Sequence, residues 1–125
     1  MNQKWPCALL VAAIVISCLV GLSPSILSHA VLLETVPAAD STVTGPSVSL
    51  RLRFNVRIDR NRSRLTLVLP DGKSVSLKID EGSTPDSLLS RATGLMSGDY
   101  RLRWQVLAVD GHITRGEVPF RVKSP

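Results

Sequence analysis

Apolar and polar positions alternate along most of this chain, and the period is two. Val48, Leu50, Leu52, Phe54, Val56 and Ile58 alternate with Ser49, Arg51, Arg53, Asn55 and Arg57. Tyr100, Leu102, Trp104, Val106 and Ala108 alternate with Arg101, Arg103 and Gln105. Successive side chains of an extended backbone point to opposite faces, so each run predicts a strand with one face buried. Residues 64–69 and 74–79 read as two shorter strands joined by Pro70-Asp71-Gly72-Lys73, a hairpin whose Asp-Gly pair supplies the positive-φ turn. Residues 117–122 close the chain with Val118, Phe120 and Val122 inward. Pro119 can donate no ladder hydrogen bond, which predicts an edge strand or an outward-pointing position there. Residues 30–34 are a short strand candidate and residues 88–92 are ambiguous. Residues 35–46 and 80–87 read as connections, and Met96-Ser97-Gly98-Asp99 as a turn. No long 3.6-residue period and no internal repeat is present. About seven short strands predict an all-β fold, a two-sheet immunoglobulin-like β-sandwich with Greek-key connections.

The first 28 residues do not fit that pattern. Lys4 is the only charge before Glu34, and residues 8–22 form an apolar run of 15 residues followed by Ser23-Pro24-Ser25. A basic start, a run of that length and small polar residues after it describe a cleaved secretory signal peptide. A membrane anchor is the rival reading, but the run falls short of the ~18 to 20 residues that a spanning helix needs. Val15-Ile16-Ser17-Cys18 loosely matches a lipoprotein box, yet the apolar run continues past Cys18 where a polar tether belongs. The cut lies after Ser28 or after Ala30. The second suits the small-residue rule slightly better and would discard His29; the first would leave His29 as the first mature residue. The expected organisation is a signal peptide over residues 1–28 and one domain over residues 29–125.

Composition narrows the chemistry. Both cysteines, Cys7 and Cys18, lie in the leader, so the domain must hold together by its core without disulfides. The chain carries 15 basic and 10 acidic residues, a net charge of +5. Arginines at 51, 53, 57, 60, 62, 64, 101 and 103 could form a basic sheet face. For an exported protein nucleic acid is not the target; a solvated face is the default, and an anionic membrane surface or acidic partner the alternative.

The candidate chemistry is concentrated in Val109-Asp110-Gly111-His112-Ile113-Thr114. In extended backbone Asp110 and His112 would project from one face, about 6 to 7 Å apart at their backbones. His29 is the only other histidine. If it is the mature N-terminus, its α-amine and ring join the His112 imidazole and the Asp110 carboxylate. Three nitrogens and one oxygen suit a tetragonal Cu(II) site, and Cu(II) heads the Irving–Williams order. With no thiolate outside the leader, blue-copper and zinc–cysteine sites are excluded. On composition alone, Asp110-Gly111 is more simply a strand-end turn and His112 a surface residue.

Several stretches taken together resemble the CopC family of periplasmic copper-binding proteins. They are His29-Ala30-Val31-Leu32, Thr35-Val36-Pro37-Ala38-Ala39-Asp40-Ser41, the strand ending in Phe54, and Tyr100-Arg101-Leu102-Arg103-Trp104 leading into Val109-Asp110-Gly111-His112-x-Thr114-x-Gly116-x-x-x-Phe120. The resemblance implies a small β-sandwich that holds one Cu(II) per mature chain through His29, Asp110 and His112, and a cut after Ser28. It also implies a monomeric carrier in the periplasm, serving copper homeostasis or resistance beside an inner-membrane copper importer. Two departures stand out. Some members hold Cu(I) in a methionine-rich segment, whereas Met96 is the only methionine outside the leader; some carry a glutamate where Val56 stands here. The expected site therefore has three residues and no Cu(I) partner site. Trp104 reads as core, with fluorescence that bound Cu(II) would quench. Thr114 reads as an orienter of His112 or as a loop cap.

Three function classes meet these residues. A carrier needs no nucleophile–base pair, and none is visible, so the chain reads as a non-enzyme. A copper-brace oxidase acting on a glycan also uses an N-terminal histidine and a second histidine, but Asp110 would take the position such a site keeps open. A metal-free immunoglobulin-like interaction module is the third, because fold alone implies no function.

Overall fold

The computed structural model describes residues 29–125; the expected signal peptide and the expected cut after Ser28 lie outside them. Eight strands form two sheets: β1 (Leu32–Val36), β2 (Ser41–Thr44), β3 (Val48–Phe54), β4 (Ile58–Val68), β5 (Ser74–Leu77), β6 (Ser87–Ala92), β7 (Gly98–Ala108) and β8 (Ile113–Lys123). One sheet has the order β1-β3-β6 and the other β2-β8-β7-β4-β5. The fold is the immunoglobulin-like β-sandwich that the alternation predicts. Its core is the set of inward residues of the two long runs, among them Leu50, Leu52, Phe54, Leu102, Trp104 and Val106, all buried. Residues 88–92 are settled as part of β6, which pairs with β3.

The structure corrects three sequence boundaries. The eleven-residue run from Val48 to Ile58 is two strands. β3 ends at Phe54, the chain turns through Asn55-Val56-Arg57, and Ile58 opens β4 in the opposite sheet. Phe54 before the break, Val56 within it and Ile58 after it all face the core, so alternation alone cannot reveal it. β4 consequently starts at residue 58 and not 64, with a bulge against β7 between Asp59 and Arg64. The connection over residues 35–46 contains β2, four residues that pair in parallel with β8. Its polar sequence, Ser-Thr-Val-Thr, hides a strand whose stability comes from the β8 ladder.

That pairing also decides Pro119. β8 lies between β7 and β2, so it is not an edge strand; the outward-pointing alternative holds, since Pro119 is exposed. The Asp40 N–H donates to the Pro119 carbonyl at 2.7 Å, just before β2 pairing begins opposite Phe120. The missing Pro119 donor therefore costs the β7–β8 ladder nothing, because a strand residue's N–H and C=O face the same neighbour. The Asp71-Gly72 hairpin forms as expected, with Gly72 at φ 88° and the Leu69 N–H donating to the Lys73 carbonyl at 2.8 Å.

Candidate metal centre

β7 and β8 pair along their full length and leave a four-residue connection, Val109-Asp110-Gly111-His112. This is a tight turn and not the extended segment expected. The Gly111 N–H donates to the Ala108 carbonyl and the Ala108 N–H to the His112 carbonyl, both at 2.9 Å. Gly111 takes φ 88°, a conformation that side-chain-bearing residues avoid. The His112 N–H donates to Asp110 Oδ1 at 3.0 Å, the local bond that favours Asp in turns. Turn chemistry and a candidate ligand pair, treated as alternatives from sequence, are compatible in one arrangement. The turn brings His112 Nδ1 to 3.0 Å from Asp110 Oδ2.

His29 reaches this turn from the other end of the chain. Ala30 is buried in the core, which seats the first described residues against the sandwich. The Val31 N–H donates to Asn55 Oδ1 at 2.7 Å, and the Asn55 N–H donates to the Val31 carbonyl at 3.0 Å. Two residues further on, the Arg57 carbonyl accepts the Val109 N–H at 3.3 Å. The three-residue break between β3 and β4 thus ties the His29 segment to the Asp110–His112 turn. The His29 and His112 rings meet edge to face, their centroids 4.7 Å apart.

One donor atom from each of His29, Asp110 and His112 lies within 4.8 Å of the others, and all three residues are exposed. Nitrogen or oxygen donors at about 2.0 Å on opposite sides of an ion stand about 4 Å apart, so small side-chain rotations would bring this set onto one ion. Asp110 is the anionic member. The His112 N–H on its oxygen holds its carboxyl below the ordinary value; burial opposes this, and the side-chain bond to His112 and the charges of both imidazoles add to the lowering.

Asn55 is the residue that sequence reasoning missed. Its signal is faint: it is the one carboxamide among the outward arginines of the first alternating run. Other expectations meet their positions directly. Val56 packs against the core. Trp104 is core, edge to face with Phe54 at 5.3 Å. Thr114 belongs to the β7–β8 ladder opposite Val106, and among the described residues its hydroxyl makes no hydrogen bond to His112. Met96 is 78% exposed in the turn before β7, the far end of an 11-residue strand from Asp110. The Tyr100 hydroxyl donates to its carbonyl at 2.8 Å. One thioether there cannot make a soft Cu(I) site.

Comparison with known proteins places this geometry in context. The family model described as "CopC domain" matches residues 32–123. The chain belongs to the CopC family. Among its relatives, copper resistance protein C of Escherichia coli is 30% identical over 111 residues, covering 82% of this chain and 88% of that protein. Protein YobA of Escherichia coli strain K12 is 32% identical over 104 residues, covering 81% and 84%. Among solved structures, CopC from Methylosinus trichosporium OB3b superposes with a TM-score of 0.69 at 28% identity, covering 77% of this chain and 95% of that one. PcoC, a methionine-rich copper resistance protein from Escherichia coli, gives 0.64 at 28% identity, covering 77% and 100%. CopC membership carries a copper-related resistance function, and copper is the metal to test against the cluster. The methionine richness of PcoC has no counterpart in the lone Met96.

Proposed function

We propose that the chain is cut after Ser28, that residues 1–28 are its signal peptide, and that residues 29–125 act in the periplasm as a Cu(II) carrier. One copper is held by the His29 α-amine and imidazole, the Asp110 carboxylate and the His112 imidazole. The observation that carries this reading is the convergence of His29, from the start of the domain, on a turn near its end, with donor atoms within 4.8 Å. The Asn55 bonds to Val31 support it, because they hold the backbone two residues past the proposed terminus. The site is exposed, which suits a cargo that must enter and leave. Asp110 stands beside both histidines, where a copper-brace oxidase keeps a position open, and this favours carriage over catalysis. The protein acts as a monomer that sequesters copper or passes it to an inner-membrane importer.

The test joins intact mass to copper titration. The secreted protein should have the mass of residues 29–125 and bind one Cu(II). One extra residue placed before His29 should weaken binding about as far as His112→Ala. A secreted form starting at Val31 would exclude His29, and full affinity in the extended protein would rule out the amine clamp.

A further inference from the structure

The surface around this centre has a character that metal binding does not use. Val109 and Ile113, flanking Asp110 and His112, are 70% and 53% exposed. Val31 and Leu33, just past His29, are each 52% exposed. Among the described residues, four of the seven exposed large apolar side chains are thus at or next to the candidate ligand segments. They project from the turn, from the first residue of β8 and from the start of β1, and Val109 also borders an open hollow beside Arg57, Arg60 and Pro85.

Arginines lie beside them. The Arg57 carbonyl is bonded to Val109. On the outer face of the larger sheet, the Leu107–Ile113 pair at the turn is followed after one intervening register by Arg64, Gln105 and Arg115 in one cross-strand row. The Arg115 Nε donates to Gln105 Oε1 at 2.8 Å, a neutral partner. Among the described residues, Arg57, Arg64 and Arg115 are not paired with any carboxylate, whereas Arg101 and Arg103 share Glu117 and Arg121 meets Asp99. At the metal end of this face Arg64 and Arg115 thus lie without a counter-charge, as Lys123 does at the far end of β8. Like charges gathered across neighbouring strands are unfavourable without a counter-charge.

We propose that this end of the sandwich docks on an anionic phospholipid bilayer, with Val109 and Ile113 entering the interface and Arg57, Arg64 and Arg115 on lipid phosphates. Guanidinium groups match phosphate with paired hydrogen bonds. Single aliphatic side chains on a convex turn suit a soft apolar phase, whereas a folded protein would need a matching hollow for each. Docking this way turns the His29–Asp110–His112 cluster toward the membrane. It does not depend on copper, so it stands or falls separately from the proposed carrier function.

Vesicle co-sedimentation of the exported protein tests it. Vesicles of phosphatidylcholine with about 30 mol% phosphatidylglycerol should bind the protein at low salt and release it by about 0.5 M NaCl, with phosphatidylcholine alone binding far less. Each arginine near such a surface contributes about 1 kcal/mol, so Arg64→Gln with Arg115→Gln should weaken binding about 30-fold. That variant should keep the parent's copper titration and melting temperature. Val109→Ser with Ile113→Ser should weaken binding while leaving its salt dependence in place. Equal binding to both vesicle types, or parental binding by the double arginine variant, would overturn the proposal. So would retention on polyglutamate without retention on anionic vesicles, which would assign the surface to an acidic protein.

Discussion

Asn55 makes the sharpest test of how the centre is assembled. Asn55→Ala deletes the 2.7 Å acceptor for the Val31 N–H but leaves the reciprocal backbone bond from the Asn55 N–H to the Val31 carbonyl at 3.0 Å. One hydrogen bond contributes about 0.5 to 1.5 kcal/mol net. Water can reach this exposed site and satisfy the freed N–H, so the larger penalty of a buried orphan does not apply. If His29 binds metal only while its segment is docked, that energy reappears in copper affinity, and each 1.4 kcal/mol is tenfold. The expected loss is about 2- to 12-fold, well short of the loss from His112→Ala. Competition titration against a chelator of known affinity measures it. Asn55→Asp keeps an Oδ1 acceptor and should retain most of the affinity. Arg53→Ala breaks a half-exposed ion pair to Glu34 on the neighbouring ladder and should change nothing. Full affinity in Asn55→Ala, or no difference between the Ala and Asp variants, would refute the anchoring argument.

Three further outcomes follow from the structure. Gly116→Ala would place a Cβ 2.6 Å from Trp104 Cε2 and 2.9 Å from its Nε1, so denaturant unfolding should show a loss of about 1 to 3 kcal/mol; unchanged stability would mean that the indole moves aside freely. The Arg103 guanidinium bonded to Glu117 holds that carboxyl below its ordinary value. Its stabilising effect is therefore present above the usual glutamate range and lost as pH falls through the lowered value, so the stability gap between the parent and Glu117→Gln should close on acidification, with a gap that widens toward low pH contradicting the pairing. Copper binding should weaken as pH drops below the α-amine's ordinary range of about 7.7 to 8, because the amine must shed its proton to bind. Quenching of Trp104 fluorescence follows it, and a titration flat from pH 8 to pH 5 would remove the amine from the ligand set.

What the sequence determined by itself was the material of the sandwich and the identity of the candidate ligands. Period-two alternation assigns inward residues such as Leu50, Phe54 and Trp104 wherever strands run, because that pattern belongs to each strand alone. His29, Asp110 and His112 could be named because residues 29–125 have no thiolate, one methionine and only those histidines. Sequence could not show that the first long run breaks at Asn55, since Phe54 in one sheet, Val56 in the break and Ile58 in the other sheet all face the core and the period is uninterrupted. Nor could it show β2, whose four residues, three of them polar, become a strand only on the β8 ladder. The assembly of the centre belongs to the same class. Asp110-Gly111 reads as a turn from local chemistry, and it is one. It becomes half of the candidate metal centre because Asn55 and Arg57, bonded to Val31 and Val109, carry two distant parts of the chain to one place. That contact is long-range, and no local pattern encodes it.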